Sequence, residues 1–168
     1  MPKDRKFSDM VAYFKQLATE HTAIAHSDTE KHFFRFELDE VLTGLPRGMN
    51  YPAIVLEGYR FSLIDNKSDN VIKRRDGAFM LLDHIPDTGD HDHIHNVWGD
   101  LEEVGDDIIA RIRHDKRNPL SPVRDFNVNS VEANLLSTEF GNLYGIRFTF
   151  TMDASFETDI NEEKWLTE

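Results

Sequence analysis

Three histidines in the run from Asp90 to His95 carry the most suggestive chemistry in this chain. The run reads Asp-His-Asp-His-Ile-His, so imidazoles stand at positions 91, 93 and 95. On a helix His91 and His95 lie one turn apart on one face, whereas on an extended segment all three histidines share a side. Two or three imidazoles at such spacing can bind a divalent metal ion. One hypothesis is therefore a small metal-binding protein or metal-dependent hydrolase that uses His91, His93 and His95.

A solvated helix start rich in Asp and His explains the same run without a ligand, and we favour this interpretation. Short histidine tracts are compositional features rather than sites in themselves. His114 is the only later histidine. By helix rise it is predicted about 30 Å from His95, which is too far for a shared metal site. We therefore expect no metal, no other cofactor and no catalytic residue.

Two acidic pairs, Glu102-Glu103 and Asp106-Asp107, have the residue type of general acid–base catalysts. They fall on the polar side of an amphipathic segment, where a solvated face is the better explanation. The chain contains no nucleophile elbow G-x-S-x-G, no P-loop and no G-x-G-x-x-G. No pattern thus predicts nucleophilic catalysis or nucleotide binding, and we predict that the protein is not an enzyme.

Composition excludes several classes of protein. The chain has 168 residues, no cysteine, and 19 basic against 31 acidic side chains, which gives a net charge of −12. Absence of cysteine excludes disulfides and thiolate chemistry. The negative charge argues against a nucleic-acid partner, because phosphates are bound by clustered basic residues and Lys73-Arg-Arg75 is the largest such cluster. Without a signal-like start or an apolar run of membrane length, we expect a cytoplasmic protein with no membrane partner.

The elements that would position these residues follow from hydrophobic periodicity. Apolar residues at helical spacing predict a first helix from Ser8 or Asp9 to about Thr22. A second, long helix follows the turn Pro86–Asp90 and ends at Asn118–Pro122. Its apolar stripe consists of Ile94, Val97, Trp98, Leu101, Val104, Ile108 and Ile112.

Alternating apolar residues predict strands on either side of the long helix. In chain order these are His32–Leu38, Ala53–Ile64, Val71–Leu82, Val123–Leu136 and Tyr144–Met152. A loop is expected at Gly44–Gly48, and the polar turn Asp65–Asn70 makes the second and third strands a long hairpin. Gly58 indicates a bulge or a close backbone approach. The last two strands are joined near Glu139–Leu143.

Strands that do not alternate with helices predict one α+β domain over residues 1–168. It would consist of a mostly antiparallel sheet, an N-terminal helix and one long central helix packed on one face. Residues 1–30 hold the N-terminal helix and its loop, and residues 157–168 form an acidic tail. Trp165 in that tail either folds back on the body or docks on a neighbouring protein, and both interpretations stay open.

The order of elements, and the strand that opens Tyr51-Pro-Ala-Ile-Val-Leu-Glu-Gly58, resemble the tail-terminator and tail-completion proteins of tailed phages and related contractile particles. The resemblance covers roughly Tyr51 to Phe156, and the histidine run is a departure from that family. It implies a non-enzymatic subunit that forms a ring, commonly a hexamer, at the end of a tail tube. The implied partners are other copies of the chain and proteins of the tube or connector. An acidic adaptor for a basic partner is a third hypothesis.

Overall fold

The computed structural model describes residues 6–43, 47–68, 70–138 and 142–166. The elements in these residues are α1 (Phe7–Glu20), β1 (Phe33–Arg35), α2 (Leu38–Thr43), β2 (Ala53–Leu56), β3 (Arg60–Asp65), β4 (Val71–His84), α3 (His91–Asp115), β5 (Phe126–Ser137), β6 (Leu143–Ser155) and a 3-10 turn at Glu162–Lys164. The α+β class is confirmed. The loop predicted at Gly44–Gly48 and the junction at Glu139–Leu143 lie partly outside the described residues.

All the described strands belong to one sheet, with β4 at its centre. The strand order is β1-β2-β4-β6-β5, and β3 also pairs with β4. One half of β4, Phe79–Leu82, pairs with β2, while the other half, Val71–Asp76, pairs with β3. On its opposite side β4 pairs with β6 from Ile72 to His84. Among the described pairs β1–β2 is parallel and the rest are antiparallel, which confirms the predicted mostly antiparallel sheet.

The strand predicted over Ala53–Ile64 is two strands, and this prediction is corrected. Residues 57–59 interrupt it, although the Glu57 amide still donates to the Ala78 carbonyl at 3.0 Å. The amide of Gly58 donates to the Glu37 carboxylate at 2.9 Å. A Cβ atom at Gly58 would lie 2.9 Å from the same oxygen. The strand is thus interrupted where the Glu37 carboxylate comes close to the backbone, and the absence of a side chain at Gly58 permits this approach.

The strand predicted at His32–Leu38 is also shorter, because Leu38 begins the unpredicted helix α2. β1 keeps three residues, Phe33–Arg35. The Glu37 carbonyl then accepts from the amides of Glu40 and Val41, which starts the helix. A helix of six residues spans less than two turns, so it shows no periodicity that a sequence pattern could reveal.

The sheet has an apolar cluster on each face. On one face α1 and α3 pack against the sheet, which confirms the predicted placement of these two helices. Phe79 lies at the centre of this core, with its ring 4.8 Å from that of Phe148 and 5.3 Å from that of Phe14. On the other face α2 contributes Val41 to a smaller cluster, so not every helix shares one face.

Helix α1 begins at Phe7, one residue before Ser8, the first of the two predicted starts. Helix α3 begins at His91, directly after the predicted turn Pro86–Asp90. The Asp9 carboxylate accepts from the Lys6 amide at 3.0 Å, so Asp9 caps α1 from inside its first turn. Asp90 caps α3 by accepting from the His93 amide at 3.0 Å. The long apolar stripe of α3 is buried except at the half-buried Trp98.

A hydrogen-bonded cluster joins α1 to the end of α3. The Tyr13 hydroxyl donates to the Asp115 carboxylate at 2.9 Å, and Arg111 Nε donates to it at 2.9 Å. Burial, followed by this hydrogen bond, raises the pKa of Tyr13. Burial also acts to raise the pKa of Asp115, but hydrogen bonds from His114, Arg111 and Tyr13 outweigh it and hold that pKa below its ordinary value.

Replacing Asp115 with asparagine is expected to lower the free energy of unfolding at neutral pH by about 1 kcal/mol. A carboxylate with a lowered pKa stabilises the fold above its unfolded pKa of about 4, and this contribution is lost as the pH falls through the folded pKa. Urea unfolding at pH 7 and near pH 2 should therefore show a loss at pH 7 that shrinks in acid. Asp106→Asn, an exposed change on the same helix, is the control. An equal loss at both pH values would contradict the prediction.

Candidate functional site

The three predicted histidines lie in the first turns of α3, and all are exposed. His91 and His95 are one turn apart, as the helical interpretation predicts. His93 lies about 200° around the helix axis from His91, so the helix brings two of the three imidazoles together. His114 lies at the opposite end of α3, where its ring nitrogen is 3.0 Å from the Asp115 carboxylate.

The neighbours of these histidines are aromatic and acidic side chains of the same protein. The His95 ring stacks on Trp98 with 6.2 Å between centroids. The nearby carboxyl of Asp83 has its pKa raised by burial, and the hydrogen bond from the His84 amide and the charge of His93 partly lower that pKa. Over the described ranges, no group of three or more His, Asp or Glu side chains is arranged to hold a metal ion. The local geometry is that of a capped helix start.

The acidic pairs of α3 lie on its outer surface. Glu102, Glu103, Asp106 and Asp107 are all exposed. Asp107 contacts the residue that follows α1, since its carboxylate oxygen is 3.2 Å from His21 Nε2. The exposure agrees with the solvated face predicted from the sequence.

The basic run Lys73-Arg-Arg75 is divided between the two faces of the sheet. Arg74 donates two hydrogen bonds to the Asp153 carboxylate, from Nε at 2.8 Å and from Nη2 at 2.7 Å. Its neighbours point to the other face: the Lys73 ammonium lies 4.6 Å from the centre of the Phe61 ring, and the buried Arg75 guanidinium lies 5.7 Å from that of Tyr59. The run therefore does not form one continuous basic patch.

Sequence reasoning missed an ion pair in a polar cleft on the sheet face opposite α1 and α3. Arg147 donates from Nε and Nη2 to the Glu57 carboxylate at 2.7 and 2.9 Å, and Glu57 is only 7% exposed. This hydrogen bond raises the pKa of Arg147. The cleft has a volume of about 550 Å³, and its other polar lining residues include Arg60, Asp76, Ser130, Glu132 and Thr149. The sequence signal for this pair is the position of Glu57, a charged residue directly after the apolar run 53–56.

Two long strands form free edges of the sheet. Strand β3 pairs with β4 alone among the described strands, and β5 pairs with β6 alone. Every residue of β3 is exposed, including Phe61 at 56%. Leu63 and Ile64 are exposed as well, which is unusual for a six-residue strand. On β5 the large exposed side chain is Leu135.

The exposed strand β3 with its hairpin partner, and the exposed C-terminal segment, form two surfaces that are open to another chain. We call residues 60–76 the arm and residues 157–166 the tail. The tail starts beside β4, where the Phe156 amide donates to the Val71 carbonyl at 2.8 Å. All its residues are exposed, and Trp165 is 70% exposed. Of the two interpretations of Trp165, the structure therefore disagrees with folding back on the body.

Comparison with protein-family models finds no matching family, and comparison with curated proteins finds no matching sequence. Along the described parts of the chain, no helix combines the length and apolar character needed to cross a membrane. The function must therefore be argued from the surfaces of the fold.

Proposed function

We propose that this protein is a structural subunit of a phage-like tail or contractile particle, where copies assemble into a ring that ends or joins the tail tube. The observation that carries the proposal is the free and fully exposed edge of β3, which differs from the other free edges of the described sheet and would therefore be filled by a different surface of the next copy. A contact between two different surfaces is head-to-tail, and such contacts continue from copy to copy until a ring closes.

The centre of the β3 edge has none of the usual features that keep a strand from pairing with another chain. Natural edge strands are protected by proline, by charged side chains or by bulges. The centre of β3 reads Phe-Ser-Leu-Ile, and its charged residues are the terminal Arg60 and Asp65. Its outer backbone groups are therefore open to another chain, as in other cases of strand addition.

The element order supports placing such a ring on a tail. A helix, a sheet hairpin, a long helix and a closing hairpin occur here in the order that the tail-terminator resemblance implies. In this role the chain needs no catalytic residue and no cofactor. Its partners are other copies of itself and the tube or connector proteins, rather than nucleic acid or membrane.

Light scattering over a wide range of protein concentration, with metal content measured on the same peak, tests the proposal. We expect the mass to rise from 19.5 kDa to that of a closed ring, which for a hexamer is six times this value. A monomer at every concentration would contradict the proposal. A monomer with one equivalent of metal would favour the alternative metal-binding function instead, provided that His91→Ala/His95→Ala abolishes the binding.

A further inference from the structure

We infer that the tail of one copy docks on the free β3 edge of the arm of the next copy. This inference rests on the proposed function, because it names the contact that joins neighbouring subunits of the ring. The occupant of the arm is thus a second copy of this chain, and the segment that it contributes is residues 157–166.

The first argument is that each segment exposes a group of large apolar side chains. Single exposed hydrophobic residues are normal, but a local group of them marks an interaction surface. The arm exposes Phe61 and Leu63 on one face of the sheet and Ile64 on the other, and the tail exposes Ile160, Trp165 and Leu166. Aromatic residues are enriched at the centres of protein interfaces. Phe61 and Trp165 are the natural anchors of such a contact.

The second argument is charge. The arm has five basic and three acidic side chains, of which Arg60 pairs with Asp76 inside the arm and Arg74 pairs with Asp153 outside it. The described tail has four acidic side chains and one lysine. The arm is thus a basic element in a chain with a net charge of −12. The Lys73 ammonium lies 4.6 Å from the Phe61 ring, so a positive charge sits beside the apolar anchor. Complementary charge of this kind selects the partner and its orientation.

The third argument is backbone geometry. The tail contains the 3-10 turn Glu162–Lys164, and its backbone is extended on either side of that turn, at Asn161 (φ −88°, ψ 97°) and Trp165 (φ −115°, ψ 136°). The parts of the tail that flank the turn therefore have the backbone that strand addition needs. It starts at Phe156, on the side of β4 that pairs with β6, whereas the free edge of β3 lies on the opposite side of β4. Docking within one copy would require the tail to cross the arm, whereas docking on the next copy does not.

A complementation experiment tests the contact directly. The arm variant is Phe61→Ser/Leu63→Ser, and the tail variant is Ile160→Ser/Trp165→Ser; all four side chains are exposed, so both proteins should fold. We expect each variant alone to stay monomeric at concentrations where the wild type forms rings. Mixed in equal amounts, they should form a dimer of twice 19.5 kDa, because one intact tail meets one intact arm. Leu120→Ser, at an exposed site outside both segments, is the matched control and should form rings.

The outcomes separate this inference from the proposed function. If the wild type forms rings and either variant does so equally well, the tail–arm contact is wrong while the ring survives. If both variants are monomeric, with circular dichroism unchanged, but their mixture gives no dimer, tail and arm do not bind each other. If the wild type itself never assembles, the proposed function fails. A mixed dimer that dissociates as salt is raised would support the charge argument.

Discussion

Replacing Gly105 with alanine is expected to lower the free energy of unfolding by about 2 kcal/mol, although alanine favours a helix by about 1 kcal/mol. Gly105 lies on the buried side of α3, where a Cβ atom would clash with Phe148 Cζ. The Phe148 ring has little room to move, because it stacks on Phe79 in the core. The helix would have to shift away from the sheet, and cooperative urea unfolding would measure the cost.

The matched control is Gly99→Ala on the same helix. A Cβ atom at Gly99 would meet nothing within 4 Å, and the residue is exposed. This substitution should therefore raise stability by up to about 1 kcal/mol, from helix propensity alone. The two changes are chemically identical, so opposite signs would isolate the packing of α3 on Phe148. Stabilisation by both would show that α3 is not held this closely against the sheet.

Replacing Glu57 with alanine is expected to cost about 3 kcal/mol. Arg147 would keep its charge and lose both hydrogen bonds in a site where its side chain is 29% exposed. Removing one partner of such a pair leaves a desolvated charge without compensation, which costs more than the pair itself contributes. The loss should appear as a lower urea midpoint with an unchanged slope.

Asp76→Ala provides the comparison, because it removes a carboxylate from a pair in the same cleft. Its partner Arg60 is 85% exposed and 3.5 Å away, so water replaces the contact. We expect a loss below about 1 kcal/mol. If Glu57→Ala cost no more than Asp76→Ala, the Glu57–Arg147 pair would not stabilise the interrupted strand.

Elements with a strong local signal were predicted correctly. The apolar stripe of α3, the capping Asp90 and the long hairpin around the Asp65–Asn70 turn are encoded by neighbouring residues. In that turn the Asp65 carboxylate accepts from the Lys67 amide at 2.7 Å, which is the local bond that such sequences favour. The arm could thus be located from sequence, although its exposure could not.

Features that depend on distant contacts were not predicted. The end of β1 is set by α2, whose Val41 is held by the strands on the outer face of the sheet rather than by its own periodicity. The Glu57–Arg147 pair joins residues 90 positions apart, so no local pattern identifies either partner. The same limit applies to the candidate site. Trp165 is an unusual residue for an acidic segment, but only the fold shows that it is exposed and that β3 is a free edge.

The central position of β4 has a consequence for the nascent chain. The strands that pair with one side of β4, β2 and β3, precede it in the chain and are available as soon as β4 is synthesised. Its other side pairs with β6, which ends at Ser155, 71 residues after the end of β4. At ribosomal rates of about 5–20 residues per second, that delay lasts roughly 4–14 s. During this interval β4, which is mostly apolar over Gly77–Leu82, has unpaired backbone groups along one side. Such groups can pair with another chain and lead to aggregation. The strand that lies at the centre of the sheet in the folded protein is therefore unpaired along one side while the chain is being made.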